Sequence, residues 1–250
     1  MLDRTLFGFA VVFTLVGVRP LAAAEASGEA VSVSQTASAD GASGSRIIEV
    51  KGPLFTGDVV KTDASGQVQV LFRDDTRLVV GPNSQVSLDS FVFQGPATAK
   101  MFSIDAVRGA FRFITGTSLK QAYSIKTPTA TIGVRGTEFD VSITPDGATN
   151  LALFGGSVRV CDMGRPNRHC AVIAGTCSVL ILTADMRFRW VNSVSERTSM
   201  MDTIFPFAFR QQGLEADFRV DSRSCDIRDL SPPTSGSHNS PPPPPPRNRG

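Results

Sequence analysis

Thr127–Val141 reads TPTATIGVRGTEFDV, and the break in its side-chain alternation decides how the chain folds. Ala130, Ile132 and Val134 share one strand face, while Phe139, Val141 and Ile143 share another of opposite parity. A strand of strict period two cannot bury both sets on one side. One extra residue near Arg135-Gly136-Thr137 repairs the mismatch, with Gly136 free to take the positive φ that a bulge often needs. The run therefore predicts two strand pieces, Thr129–Val134 and Glu138–Ile143, joined by a bulge that aims Arg135 away from its neighbours.

Turn signals recur on both sides of this run. Asp63-Ala64-Ser65-Gly66, Arg73-Asp74-Asp75, Gly81-Pro82-Asn83-Ser84 and Pro145-Asp146-Gly147 separate short β-prone segments such as Gln67–Phe72, Thr76–Val80, Gln85–Leu88, Phe102–Ile104, Gly109–Ile114 and Tyr123–Lys126. Further strands are expected at Asn150–Phe154, Ser157–Val160 and Ala171–Ile173. Many short strands at this spacing predict an all-β fold, an antiparallel sandwich or a β-roll of solenoid type, rather than alternating βα units. The body runs from about residue 45 to 184, roughly 140 residues, enough for one domain with a sizeable core. Arg108–Phe113 and Gly155–Val160 look alike, each a glycine turn followed by apolar/Arg/apolar alternation, as an internal repeat or ordinary hairpin chemistry would give.

The flanks divide differently. Residues 1–24 read as a secretory signal, with Arg4, the apolar stretch Leu6–Val18 and the small residues Ala22-Ala23-Ala24 before Glu25. That stretch is short of the about 20 residues a bilayer span needs. Residues 25–44, rich in Ala, Ser and Gly, read as a flexible lead. In the extension at 185–230, Arg187–Trp190 reads as a last strand and Ser193-Val194-Ser195-Glu196 has capping-box form. A short helix is expected there, stopped near Phe205 by Pro206, with Met200, Met201, Ile204 and Phe205 as an apolar face for the sheet edge or a partner. Residues 231–250, SPPTSGSHNSPPPPPPRNRG, form a disordered tail whose Pro241–Pro246 run extends as polyproline II. Arg247 and Arg249 in it can attract anionic wall or membrane groups.

Export gives the four cysteines a use, since disulfides persist outside the cytosol. Cys161 and Cys170 flank the turn-rich DMGRPNRH, so a bridge closing a hairpin tip is the first expectation, with Cys177 then pairing Cys225. Four cysteines allow three connectivities, and a metal site with His169 beside them is the sharper alternative, although no CxxC pair supports it. Without a metal, His169 reads as a solvated loop residue, and no metal or other cofactor is called for.

Net charge is +2 and no basic stripe interleaved with aromatics appears, which argues against nucleic-acid binding. Glu138 and Asp140 lie two apart and share a strand side, where Arg135 or Lys126 can neutralise them. Asp74-Asp75 reads as a turn rather than a metal ligand. No GxSxG, HExxH or phosphate-binding glycine loop is present, and the expectation is a protein that is not an enzyme. Arg135, Gly136, Thr137, Glu138 and Asp140 are the candidate site residues. Arg135 either pairs with Glu138 or Asp140 inside the fold or presents its planar guanidinium to a partner.

Several ordered blocks resemble the FecR domain, the exported module named for the ferric-citrate transport regulators. They are Gly57–Thr62, Val70–Thr76, Pro82-Asn83-Ser84, Arg108-Gly109, Thr127-Pro128 with Val134–Phe139, and Gly155–Val158. Asp74-Asp75 stands where the family usually has an Asp-Gly turn. In the ferric-citrate-type regulators this domain is the periplasmic part of a membrane protein whose cytosolic portion controls a sigma factor. Only about five residues precede the apolar stretch here, so that control is not carried over. The resemblance implies a periplasmic or secreted recognition module whose partner is a periplasmic or outer-membrane protein, acting in envelope or iron-uptake-type signalling. The alternative is an envelope protein holding peptidoglycan or another surface glycan through Trp190, Tyr123 or its phenylalanines.

Overall fold

The structure is a computed structural model, and it describes residues 25–93, 98–119, 122–165 and 169–226. The signal segment and the proline-rich tail expected from sequence lie outside the described residues. Fifteen strands follow one another: β1 (Gly28–Ser34), β2 (Ala37–Gly41), β3 (Gly44–Ile47), β4 (Pro53–Leu54), β5 (Val59–Thr62), β6 (Gln67–Phe72), β7 (Arg77–Val80), β8 (Gln85–Phe93), β9 (Ala99–Ile114), β10 (Tyr123–Lys126), β11 (Ala130–Ile143), β12 (Thr149–Asp162), β13 (Cys170–Ala174), β14 (Ser178–Leu182) and β15 (Phe188–Trp190). One helix, α1 (Val194–Thr203), follows.

All fifteen strands belong to one hydrogen-bonded sheet, and three long strands fold it over on itself. Phe102 and Phe113 would stand about 36 Å apart on a straight strand, from eleven steps of roughly 3.3 Å. Their ring centroids lie 5.6 Å apart, so β9 must bend back between them. Its first half pairs with β8 and β10, its second with β7 and β11. β11 and β12 divide in the same way. The result is two layers that share β9, β11 and β12: a first of β3-β2-β5-β8-β9-β10-β11-β12-β13 and a second of β4-β1-β6-β7-β9-β11-β12-β14-β15.

Each long strand turns the corner at a glycine with positive φ: Gly109 (+99°), Gly136 (+67°) and Gly156 (+78°). At each corner the inward parity changes. Phe102 and Ile104 give way to Phe111 and Phe113, Ile132 and Val134 to Phe139 and Val141, and Leu151 and Leu153 to Val158 and Val160, all of them buried. The parity break in Thr127–Val141 is thus a passage from one layer to the other. The likeness of Arg108–Phe113 to Gly155–Val160 has the same origin, since both start at a corner. Strands expected as separate pairs on either side of these glycines are in fact continuous.

The layers meet over an aromatic column. Phe72 stacks on Phe91 at 4.9 Å across the layers, Phe102 lies edge-on to both, and Phe113 contacts Tyr123 and Phe139. Such edge-to-face pairs contribute about 0.5–1.5 kcal/mol each beyond the area they bury.

Three expectations need correction. Residues 25–44 are no flexible lead: β1 pairs with β6 and β2 with β5, and Ala30, Ala37 and Ala39 are buried. Small side chains there fit beneath larger neighbours, so a composition typical of linkers serves as tight packing. The sheet is not purely antiparallel, because β9 and β10 run parallel. It also gains β14, whose edge carries β15.

The C-terminal segment covers the outer face of the second layer. Ser193 caps α1 by accepting from the Glu196 N–H, and the helix closes just before Phe205-Pro206, as its sequence predicts. Glu196 turns its carboxylate to Arg189 (2.7 Å), away from the cap. Met200, Met201, Phe205, Ala208 and Val220 pack on Ile114, Ala152, Phe154 and Ile181, and Phe207, Leu214 and Phe218 on Val79. Cysteine pairs Cys161–Cys170 and Cys177–Cys225 both form, the first across the β12–β13 hairpin and the second between the turn before β14 and this cover. Among the described residues no helix is long and apolar enough to cross a membrane.

Candidate functional site

The corner of β11 and β12 sorts the candidate residues onto different surfaces. Arg135 opposes Ser157, the pairing slips around Gly136 and Gly156, and Glu138 opposes Gly155. A Cβ on Gly156 would lie 2.0 Å from the Gly136 carbonyl oxygen, so the two backbones touch only because Gly156 lacks a side chain. Thr137 is locked to the second layer: its N–H donates to Thr115 Oγ1 (2.8 Å) and its carbonyl accepts from Thr115 N–H (3.0 Å). Its own buried hydroxyl has no hydrogen-bond partner among the described residues.

Arg135 and Glu138 line separate clefts. Arg135 is exposed and, with Ser157, Val158, Arg159, Cys170 and Val172, borders a cleft of about 270 Å³ on the outer face of the first layer. Glu138 faces a second cleft with Ile114, Thr115 and the corner glycines. Of the two roles open to Arg135, pairing with Glu138 or Asp140 does not form among the described residues: Asp140 is buried against Arg112, and Glu138 faces the other cleft.

Asp140 instead meets Arg112, which stands directly opposite it on β9. Arg112 Nε donates to Asp140 Oδ1 (2.7 Å) and Nη2 to Oδ2 (2.9 Å), a bidentate pair with both side chains 1% exposed. Arg112 Nη2 also donates to the Phe207 carbonyl (2.8 Å), Nη1 to Gln211 Oε1 (2.7 Å), and the guanidinium lies 5.2 Å from the Phe154 ring centre. Burial pushes the Asp140 carboxyl up, against the opposing pull of Arg112. The pair thus ties the sheet to its C-terminal cover and is sealed from any ligand. Sequence reasoning missed Arg112, yet a signal existed: Arg112 and Asp140 are each flanked by apolar residues, in Phe-Arg-Phe and Phe-Asp-Val, an arrangement that asks for a buried counter-charge.

The remaining polar candidates are spent on structure. Asp74 is buried and accepts from Ser118 Oγ (2.7 Å) and Tyr123 OH (2.8 Å), holding the turn after β6. Asp75 takes φ +62° in that turn, a left-handed conformation that glycine adopts most readily. Tyr123 is buried with its phenol pushed up by desolvation, so it offers no ring to a glycan, whereas Trp190 is 44% exposed. Lys126 pairs with Asp89 (3.1 Å), not with Glu138. His169 is not freely solvated, since its Nδ1 contacts the buried Asp162 and its ring lies 4.9 Å from that of Phe188. All four cysteines are bridged, which leaves no thiolate for the metal site considered from sequence.

Against known proteins, residues 58–159 match the model described as FecR protein. Over those residues the chain is similar to a FecR domain. The FecR match spans the strands from β5 through most of β12, including all three corner glycines, the Arg112–Asp140 pair and Arg135. The β12–β13 hairpin tip, the cover and both disulfides fall beyond it. No curated protein matches. Two solved structures of a candidate anti-sigma factor from Parabacteroides distasonis ATCC 8503, at 1.65 and 2.50 Å resolution, share 14% identity with this chain, with TM-scores of 0.43 and 0.42. Each alignment covers 54% of this chain and 59% of the other, so the chain spans less than two thirds of their length.

Proposed function

We propose that this chain is an exported, non-enzymatic recognition module of the FecR type, which binds a protein in the periplasm or at the cell surface. The carrying observation is an asymmetry between its two faces. The outer face of the second layer is closed by the chain's own C-terminal segment, clamped by Arg112–Asp140 and bridged by Cys177–Cys225. The outer face of the first layer is open, and there Arg135, from the run most like the FecR signature, reaches solvent. Arg135 lies on the outward face of β11 with Thr131 and Gly133, just before the register shift, a position that suits presentation to a partner better than internal support. Two disulfides and a signal-like start fit an oxidising compartment.

Crosslinking of the mature protein in cells, followed by mass spectrometry, tests this reading. One recurrent protein adduct is expected, lost in an Arg135→Ala variant of unchanged melting temperature. Adducts made only of wall glycan, or none at all, would overturn it.

A further inference from the structure

β13 is an edge strand without the usual guards. It reads Cys-Ala-Val-Ile-Ala, with no charge, proline or bulge, and pairs on one side only, with β12. Exposed edges are normally blunted by such features because their free N–H and C=O groups template another strand. The ladder fixes which groups are free. Asp162 N–H donates to the His169 carbonyl (3.1 Å), and bonded and non-bonded pairs alternate from there. Ala171 and Ile173 therefore bond to β12, while Cys170, Val172 and Ala174 turn their backbone groups to the open side. Ala174 C=O is taken by Ser178 Oγ (2.9 Å), which leaves Val172, 63% exposed, at the centre of the open edge.

Beside this edge lie two cations without carboxylate partners. Arg135 and Arg159 both border the cleft that reaches Val172, and no ion pair joins either to an acidic group among the described residues. Arg159 Nη2 donates to Cys170 Sγ at 3.4 Å. Arg159 opposes Gly133 and Arg135 opposes Ser157, so the arginines are diagonal neighbours on adjacent strands, where like charges oppose each other. A strand added to β13 would run about 9.6 Å from β12, two strand spacings, which brings Arg159 within the combined reach of an arginine and a glutamate side chain, with Arg135 one strand further on.

Resting on the recognition reading above, we propose that the β13 edge and the Arg135–Arg159 cleft form a strand-addition site for an extended acidic polypeptide segment. Its backbone pairs with Val172 and its carboxylates enter the cleft. A second copy of the chain, joined edge to edge, would satisfy the backbone but leave the arginines unpaired. The chain's own Pro241–Pro246 run lacks amide donors and is followed by Arg247 and Arg249, so it meets neither requirement.

The test uses the oxidised, isotope-labelled protein and two probes, a decapeptide alternating Glu and Val and its Lys–Val counterpart, with exchange of the Val172 amide as the readout. Protection grows as one plus the ratio of peptide concentration to Kd, so about tenfold slowing is expected with the Glu–Val peptide at about ten times its Kd, and little with Lys–Val. Arg159→Glu should reverse that preference. Val172→Pro should abolish protection of Cys170 and Ala174 while leaving the melting temperature nearly unchanged, because the Val172 N–H makes no ladder bond. Equal protection by both peptides, none by either, or concentration-dependent protection by the protein alone would overturn the proposal, the last by assigning the edge to a second copy. The recognition reading fails separately, if crosslinking captures no protein; a captured partner that binds Val172→Pro and Arg159→Glu as well as wild type would refute the edge and leave that reading standing.

Discussion

Replacing Arg112 with Met removes the buried clamp while keeping most of its volume. In the native protein the guanidinium satisfies both Asp140 oxygens, the Phe207 carbonyl and Gln211 Oε1, all shielded from water. Losing one partner of such a pair leaves a buried charge uncompensated, which costs about 3–5 kcal/mol. For a chain of this size that corresponds to about 6–20 °C in melting temperature, at roughly 2–4 °C per kcal/mol. The loss should depend on pH. Burial already raises the folded-state Asp140 carboxyl above its usual value, and without Arg112 nothing draws it back. An acid whose folded pKa lies above its unfolded value, about 3.9, contributes stability that is present below that value and lost as pH rises through the folded pKa. The deficit of Arg112→Met relative to wild type should therefore be largest at pH 7 and shrink toward pH 4.5. Adding Asp140→Leu should recover most of it, since an apolar pair can replace a buried ion pair at little cost. Urea and thermal unfolding followed by circular dichroism, with disulfides intact, supply the measurement. A loss under 1 kcal/mol, or one that grows on acidification, would refute the reasoning.

Other positions give equally direct expectations. Gly156→Ala combines a φ of +78° with a Cβ 2.0 Å from the Gly136 carbonyl, and should cost about 2–4 kcal/mol, whereas Gly147→Ala, at φ +87° in open space, should cost only about 1–2; equal losses in chemical denaturation would argue against a packed corner. Asp75→Gly places glycine where φ is +62° and should gain roughly 0.5 kcal/mol by the same assay. Removing Cys177–Cys225, with a sequence separation of 48, should cost about 4 kcal/mol by chain entropy, and removing Cys161–Cys170, with a separation of 9, roughly 2.6. The reverse order in paired Cys→Ser variants would show that the cover contributes little to the fold.

The corner in β11 was legible because Ala130–Val134 and Phe139–Ile143 carry opposite parity within one short run, and only a bulge reconciles them. The caps, the hairpin at Pro145–Gly147 and both cysteine pairings were legible for the same reason, since each depends on residues close in sequence or on few alternatives. Continuity through Gly109 and Gly156 was not, because a positive-φ glycine reads the same whether it ends a strand or bends one. β1 and β2 were hidden by small residues whose burial depends on strands elsewhere in the chain. The Arg112–Asp140 pair, 28 residues apart, and its sealing by Phe207 and Gln211 depend on tertiary contacts that periodicity does not record. Of the candidate residues, Arg135 is exposed on the first layer, and Asp140 is buried against Arg112 as part of the scaffold.

The proposed function rests on that division into a closed face and an open face. The C-terminal cover removes one broad apolar surface from competition, and the corner glycines hold Arg135 on the other without a counter-ion from the same motif. The measurement that tests this most directly is photo-crosslinking in cells from a reactive residue at Ser157, on the open face beside Arg135, against one at the exposed Ser199 on the cover. The account predicts one recurrent protein adduct from Ser157 and none from Ser199. The same adducts from both positions, or only glycan from Ser157, would contradict it.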